Sequence, residues 1–158
     1  VFINMGIPDT IREIARRVQA GATEEGRKPE ELDIITKVRV SLNKDRKVAR
    51  SKLKQVLTFY NIADHYKDML IASGFEPEVM AVQAAFKEGG FKAAQTQITD
   101  AYMDKLPVIA ATSVEEIKEK LLPFEAAGVT RLVLPYVPVT EPVIEDARQF
   151  IQAWEKSN

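Results

Sequence analysis

Three short stretches carry residue types suited to ligand chemistry, each placed where an apolar run ends: Asn4-Met5-Gly6, Ser41-Leu42-Asn43 and Pro135-Tyr136. If those runs are parallel strands, the stretches are their carboxyl ends, the side on which parallel α/β proteins bind ligands. Gly6 precedes a helix that begins near Asp9. It either lets backbone N–H groups approach an anion at the positive helix end or simply makes a turn. Arg39 is the main polar anomaly, a guanidinium inside a run that otherwise reads as core. Such a group needs a partner, so Arg39 is either half of a structural ion pair or a contact to a phosphate or carboxylate at the mouth of the fold. Tyr136, at the last exit, suits stacking on a ring, hydrogen bonding to one, or closing the end of the fold by packing.

Other chemistries are poorly served. The chain has no cysteine and one histidine, His65, so a thiol nucleophile, a thiolate metal site and a histidine-rich zinc or iron centre are excluded within one chain. His65 lies among Asn61, Asp64, Tyr66 and Asp68. On a helix, however, positions 61, 64, 65 and 68 make an outward polar stripe while Ile62, Tyr66, Met69 and Leu70 face inward. Asp100 and Asp104, one helical turn apart, suit a hard cation only with a third ligand that the sequence does not supply. No catalytic residue and no metal site is assigned. There is no Walker lysine motif and no G-x-G-x-x-G. Residues 1–60 hold 13 lysines and arginines against 8 acids, and residues 61–158 hold 9 against 15. The basic stretch from Lys37 to Lys54 lacks interleaved aromatics and is expected to be a solvated helix face rather than a nucleic-acid surface. No run is long enough to span a membrane, and the first fifteen residues lack a secretory layout. The expectation is a soluble, cytoplasmic protein.

The elements that must position these residues alternate. The segment from Thr112 to Pro135 is the clearest unit: a helix with a capping box from Thr112 or Ser113, an apolar stripe at Ile117, Leu121, Leu122, Phe124 and Ala127, a stop at Gly128, and the apolar run Val129 to Leu134. So few alternating polar positions predict a parallel strand covered on both faces. Val1-Phe2-Ile3 reads as a strand already under way, which implies either a trimmed initiator or a piece of something longer. A helix follows, with Thr10 to Glu13 as its capping box. Asp33 to Leu42 is the longest strand candidate, and Lys37, Arg39 and Ser41 share one side of it. Asn43 or Asp45 caps the next helix, with Val48, Leu53, Val56, Leu57 and Tyr60 inward. From Asn61 to Lys105 no strand is expected, only three short helices stopped by Gly74 and Gly89-Gly90. Pro107 to Ala111 is a strand stub or an extended lead into the next helix. The last helix starts at Pro142 and turns Val143, Ala147, Phe150, Ile151 and Trp154 inward. Arg131, at the opposite end of its strand from the exits, is expected to bridge an acid. The 158 residues suit one domain. Three parallel strands with covering helices make either a small open sheet or the last segment of an eight-stranded barrel with two raw edges.

The opening segment through Gly6, Gly26-Arg27-Lys28-Pro29-Glu30, Ala111-Thr112-Ser113-Val114-Glu115-Glu116 and Phe124 to Arg131 together resemble the carboxyl-terminal half of the bacterial luciferase-like flavin and deazaflavin oxidoreductases. The nearest likeness is to the archaeal methylenetetrahydromethanopterin reductases. The resemblance spans nearly all of residues 1–158. It implies a partial (β/α)8 TIM barrel made of the last three or four βα units, with a helical insertion at about 61–105. It implies an 8-hydroxy-5-deazaflavin coenzyme, or FMN in relatives, and hydride transfer to or from a tetrahydropterin-type one-carbon carrier or similar small substrate. Asn4, Met5 and Gly6 inherit the cofactor-holding strand exit from the resemblance, and Arg39 is placed to reach the cofactor tail or substrate. Members are about twice this length. A homodimer or an absent amino-terminal half is therefore expected, and the chain alone is expected to be incomplete. The rivals are an FMN-dependent monooxygenase-type member and a non-catalytic half-barrel that assembles with a second chain.

Overall fold

A computed structural model describes residues 1–157. The chain begins with β1 (Phe2–Ile3) and α1 (Pro8–Glu24). The N-cap of α1 is Ile7, which offers no side-chain cap, and Pro8 stands in its first turn. Proline fits there because the first-turn N–H has no intrahelical acceptor. Thr10 and Glu13 therefore lie inside the helix rather than boxing its start, and Glu13 is held instead by Arg16 and Arg17.

The run from Asp33 to Leu42 forms two strands, β2 (Ile35–Lys37) and β3 (Arg39–Leu42). Along one side β2 pairs with β1 in parallel, Phe2 opposite Ile35. Beyond Val38 that neighbour is replaced by β4 (Val108–Ala111), parallel again, with Arg39 opposite Val108. The stub at Pro107 to Ala111 is thus a strand. On the other side stands β5 (Arg131–Val133), with Lys37 opposite Val133. Its pairing continues past the strand: the Val40 N–H donates to Pro135 O at 3.1 Å, and the Val137 N–H to Val40 O at 2.8 Å. Phe2, Val38 and Val133 therefore lie on neighbouring parallel strands whose carboxyl ends open the same way. Among the described residues β1 and β5 pair only with the central strand and leave their outer edges open. This is a partial, unclosed parallel sheet with helices, the geometry of an incomplete barrel.

Between β3 and β4 the chain makes α2 (Arg46–Ile62), α3 (Asp64–Ala72), α4 (Glu76–Thr96) and α5 (Asp100–Met103). Asp45 caps α2 by accepting the Lys47 N–H at 2.9 Å. The diglycine at 89–90 interrupts α4, as expected of a stop: Gly90, at φ +69 and ψ −161, is non-helical, a conformation open to glycine at little cost, and the helical segments on either side meet at a kink. After β4 comes α6 (Val114–Ala126), capped by Ser113, whose Oγ accepts the Glu116 N–H at 3.2 Å while Glu116 accepts the Thr112 N–H at 3.0 Å. The last helix, α7 (Val143–Lys156), takes Pro142 as its N-cap.

Two apolar clusters result. One joins α2, α4 and α5 around Leu53, Leu57, Val79, Val82 and Ile98; the other packs α1, α6 and α7 on the sheet through Ile11, Ile34, Val38, Ile117 and Phe150. Several residues expected to face inward do not. Leu122, Val48, Val143 and Ile151 are exposed, because the stripe that each helix buries is narrower than its run of apolar residues. The expected two-sided cover of β5 is also one-sided: Val133 is 37% exposed and its pleat-mate Phe2 51%.

Candidate functional site

The exit of β1 concentrates three anomalies. The Oδ1 of Asn4 is buried and has no hydrogen-bond partner. Met5 follows at φ +55, a left-handed conformation that a non-glycine residue holds only where its surroundings enforce it. The enforcement is visible: the Met5 side chain is buried in the α2–α4 cluster. Gly6 is required by close packing, since a Cβ there would stand 2.7 Å from Ile3 Cγ2 and 2.8 Å from Ile11 Cγ1. Its side-chain-free backbone therefore seats α1 against β1, and any ligand contact at Gly6 would fall to its main chain.

Arg39 reaches the same place from β3. Its Nη1 lies 3.8 Å from Met5 Sδ, its Nη2 donates to the Tyr60 hydroxyl, and its guanidinium carbon sits 4.4 Å from the centre of the Tyr60 ring. Burial pulls its pKa below the ordinary arginine value. No carboxylate pairs with it among the described residues, so the alternative of a structural ion pair is not realised. Tyr60 in turn meets Tyr66 edge-on, with ring centres 4.3 Å apart. These two tyrosines complete the cluster and were not singled out from the sequence; the available signal was a pair of inward aromatic residues bracketing the junction between α2 and α3.

The other exits behave differently. Ser41 is buried and donates to Val137 O at 2.8 Å. Tyr136 stacks on Phe150 at 4.4 Å with the rings 6° from parallel and donates to Asp146 at 3.2 Å. Burial, followed by the Asp146 carboxylate, pushes its hydroxyl pKa up. Tyr136 thus closes the end of the fold by packing, apart from Asn4, Met5 and Arg39. A cleft of about 350 Å³ beside it is lined by Asn43, Lys44, Thr112 and Gln149 among others.

The remaining candidates resolve into structure. Asp100 and Asp104 hold Arg50 at 3.1 and 2.8 Å, and Asp100 also meets Lys54 at 2.9 Å. Part of the basic face of α2 is therefore an ion-paired seam, and no cluster of three or more potential metal ligands exists among the described residues. His65 is exposed and lies edge-on to Tyr66. Asn61, expected outward, is fully buried at the end of α2: its Nδ2 donates to Leu57 O and its Oδ1 accepts the Tyr102 hydroxyl at 2.9 Å. Arg131 bridges Asp33 at 2.9 Å, as expected of the end remote from the exits. The larger clefts are not lined by Asn4, Met5, Gly6 or Arg39. One of about 540 Å³ between α6, β5 and α7 is mostly apolar, and the cations in one of about 430 Å³ are engaged by Glu116, Asp100, Asp104 and Glu78. No helix among the described residues is long and apolar enough to cross a membrane.

Residues 1–131 match the family model described as luciferase-like monooxygenase. A 5,10-methylenetetrahydromethanopterin reductase from Methanolobus tindarius is 28% identical over 149 residues, covering 92% of this chain and 45% of that protein. Among solved structures, the coenzyme F420 dependent tetrahydromethanopterin reductase from Methanopyrus kandleri matches with a TM-score of 0.76 at 21% identity, over 99% of this chain and 44% of the other. An F420-dependent secondary alcohol dehydrogenase in complex with an F420–acetone adduct matches at 0.60 and 15% identity, over 96% and 41%. At such identities the structural likeness shows the fold alone. The chain spans less than half the length of each of these three relatives.

Proposed function

Because the chain belongs to the luciferase-like monooxygenase family, we propose that it forms the cofactor-binding half of a deazaflavin-dependent oxidoreductase, with Asn4, Met5, Gly6 and Arg39 as the residues that hold the coenzyme. The observation that carries this is the carboxyl end of β1: Asn4 there has a buried amide oxygen without a partner, Met5 follows in a left-handed conformation, and the Arg39 guanidinium, without a carboxylate, reaches the Met5 side chain. Buried polar groups are normally satisfied, and a bound polar ligand would satisfy these. The residues present therefore fit the group.

The division of roles follows from their chemistry. The Asn4 Oδ1 accepts a hydrogen bond from the ligand. The backbone of Met5 and Gly6 leads into α1, whose first turn lacks a side-chain cap and presents N–H groups to an anion. Arg39 supplies positive charge for the coenzyme tail or the substrate. The deazaflavin, when bound, carries hydride to or from the substrate, here proposed to be a tetrahydropterin-type one-carbon carrier because two of the similar proteins are named as methanopterin reductases. FMN is the alternative cofactor.

The open edges of β1 and β5, with Phe2 and Val133 exposed between them, support completion by further strands, from a second copy or from an amino-terminal half. A non-catalytic half-barrel that assembles with a second chain is the second reading, and the same edges favour it. An absorbance titration of the purified chain with the 8-hydroxy-5-deazaflavin coenzyme and with FMN tests the cofactor proposal. Saturable binding of the deazaflavin, weakened by Asn4→Ala, is expected. Failure of both flavins to bind, alone and in the presence of the completing half, overturns it.

A further inference from the structure

Arg39 differs from the chain's other partly buried arginines in how its charge is met. Arg50 is engaged by two carboxylates and Arg46 by one, on which both of its terminal nitrogens converge. A guanidinium has five N–H donors in a planar fork. In Arg39 one goes to the Tyr60 hydroxyl and one points at the weak acceptor Met5 Sδ; the other three have no protein acceptor among the described residues. A charge withdrawn from water without a counter-ion is costly, yet the surroundings hold this one in place rather than neutralise it. The Tyr60 ring lies against the guanidinium as a cation–π wall. Tyr66 braces that ring edge-on, its centre 4.3 Å from that of Tyr60, and its own hydroxyl makes no hydrogen bond among the described residues. The strand contributes the charge, and α2 and α3 contribute the walls.

We propose that Arg39, Tyr60 and Tyr66 form an oxyanion clamp, in which a carboxylate or a phosphate monoester is taken bidentately by the unspent edge of the Arg39 fork and hydrogen-bonded by the Tyr66 hydroxyl. The clamp rests on the cofactor-site proposal in sharing its end of the fold, and it adds the chemical class of the group that binds there. Tyr60 is a positioning residue: its ring and hydroxyl fix the plane of the fork and do not touch the anion. Because the recognition is bidentate, lysine cannot replace Arg39.

The test follows the arginine Nε–H resonances of the whole chain by NMR during titration with inorganic phosphate and, separately, with glutarate. In the wild type the Arg39 resonance is expected to shift saturably, while those of Arg46 and Arg50 stay still. Tyr66→Phe and Tyr60→Phe should each weaken binding by roughly tenfold, the loss of one hydrogen bond to a charged group. Arg39→Lys should abolish binding, read for this variant from the Tyr66 ring resonances, with an unchanged thermal midpoint showing that the variant folds. Binding of phosphate alone identifies a phosphate monoester, binding of glutarate alone a carboxylate, and either outcome supports the clamp. Shifts shared equally by Arg39, Arg46 and Arg50, or no saturable shift with either anion, overturn it. A parallel deazaflavin titration separates the two proposals. Coenzyme binding with no saturable anion shift at Arg39 removes the clamp and leaves the cofactor site, whereas anion binding without coenzyme binding does the reverse.

Discussion

The helical excursion from α2 to α5 and the sheet that it interrupts are sealed to very different degrees. In the excursion Leu53, Leu57, Val79, Val82 and Ile98 are completely buried, and the polar interior is satisfied: Asn61 ties the end of α2 to Tyr102 of α5 and, through its carbonyl, to Gln83 of α4 at 2.6 Å. β4 is buried on both faces, with Val108 and Ala110 in the α2–α5 cluster, but the β1–β2–β5 part of the sheet is covered by α1, α6 and α7 on one face only. Its other face shows Phe2, Lys37 and Val133, with the Lys37 ammonium 5.0 Å from the Phe2 ring centre, and both outer strands keep open edges. One region has finished its packing within the chain, and the other has surface left to bury. An apolar, parallel-edged face of this kind is what a completing set of strands requires. The β1 exit and the Arg39 cluster sit where the two regions meet.

The contrast can be broken most directly in the excursion. Leu57→Ala should lower stability by about 2–5 kcal/mol, the range for a buried leucine whose cavity cannot collapse, measured by urea unfolding. A loss below 1 kcal/mol would mean that the excursion is loosely packed and that the distinction fails. Asn61→Ala should follow at roughly 1–3 kcal/mol, because it leaves the buried Tyr102 hydroxyl and part of the α2 terminus without partners. Burial and the Asn61 contact already set the Tyr102 hydroxyl in opposite directions, burial raising its pKa and the hydrogen bond lowering it.

At the seam between the regions, burial works to raise the pKa of Glu116, but hydrogen bonds from Arg46, Lys120 and the Thr112 N–H overcome it and hold the carboxyl at about 2 against an ordinary 4.5. A depressed acid stabilises the fold above its unfolded pKa and loses that contribution as protons bind. Stability should therefore decline as the pH falls from about 4.5 through about 2, and Glu116→Gln should flatten that part of the curve, as followed by thermal unfolding across acid buffers. The smallest effect is expected on the open face. Val133→Ser should change the stability of the isolated chain by less than about 0.5 kcal/mol, as exposed positions do, while weakening association with a completing half in sedimentation experiments. A large intrinsic loss would show that this face is already part of a closed core.

Much of the architecture is legible in the sequence because local rules decide it. The Ser113 cap with Glu116 and the apolar runs at β1, β2, β3 and β5 each follow from a few neighbouring residues, and the parallel arrangement follows from their order. What escapes is decided by distant partners. The indifferent run at Pro107 to Ala111 becomes a strand only because Arg39 to Leu42 lies beside it. Asn61 reads as an outward polar residue until Tyr102, 41 positions later, arrives with a hydroxyl to pair it. Leu122 and Ile151 show the converse: helical spacing marks an apolar face, but the partner helices determine how much of it is covered. At the candidate site, Arg39 is visible as a charge in an apolar run, whereas the tyrosine walls depend on where α2 ends and α3 turns back.

The excursion leaves the sheet from the carboxyl end of β3 and returns at the amino end of β4, and those two strands lie side by side in the same direction. A pull transmitted through the helices would draw the strands past one another lengthwise and load all their mutual hydrogen bonds together, instead of unzipping them one at a time. The insertion is fastened to the sheet in its mechanically stiffer direction, and Arg39, at the first rung of that ladder, is held in place by the same fastening.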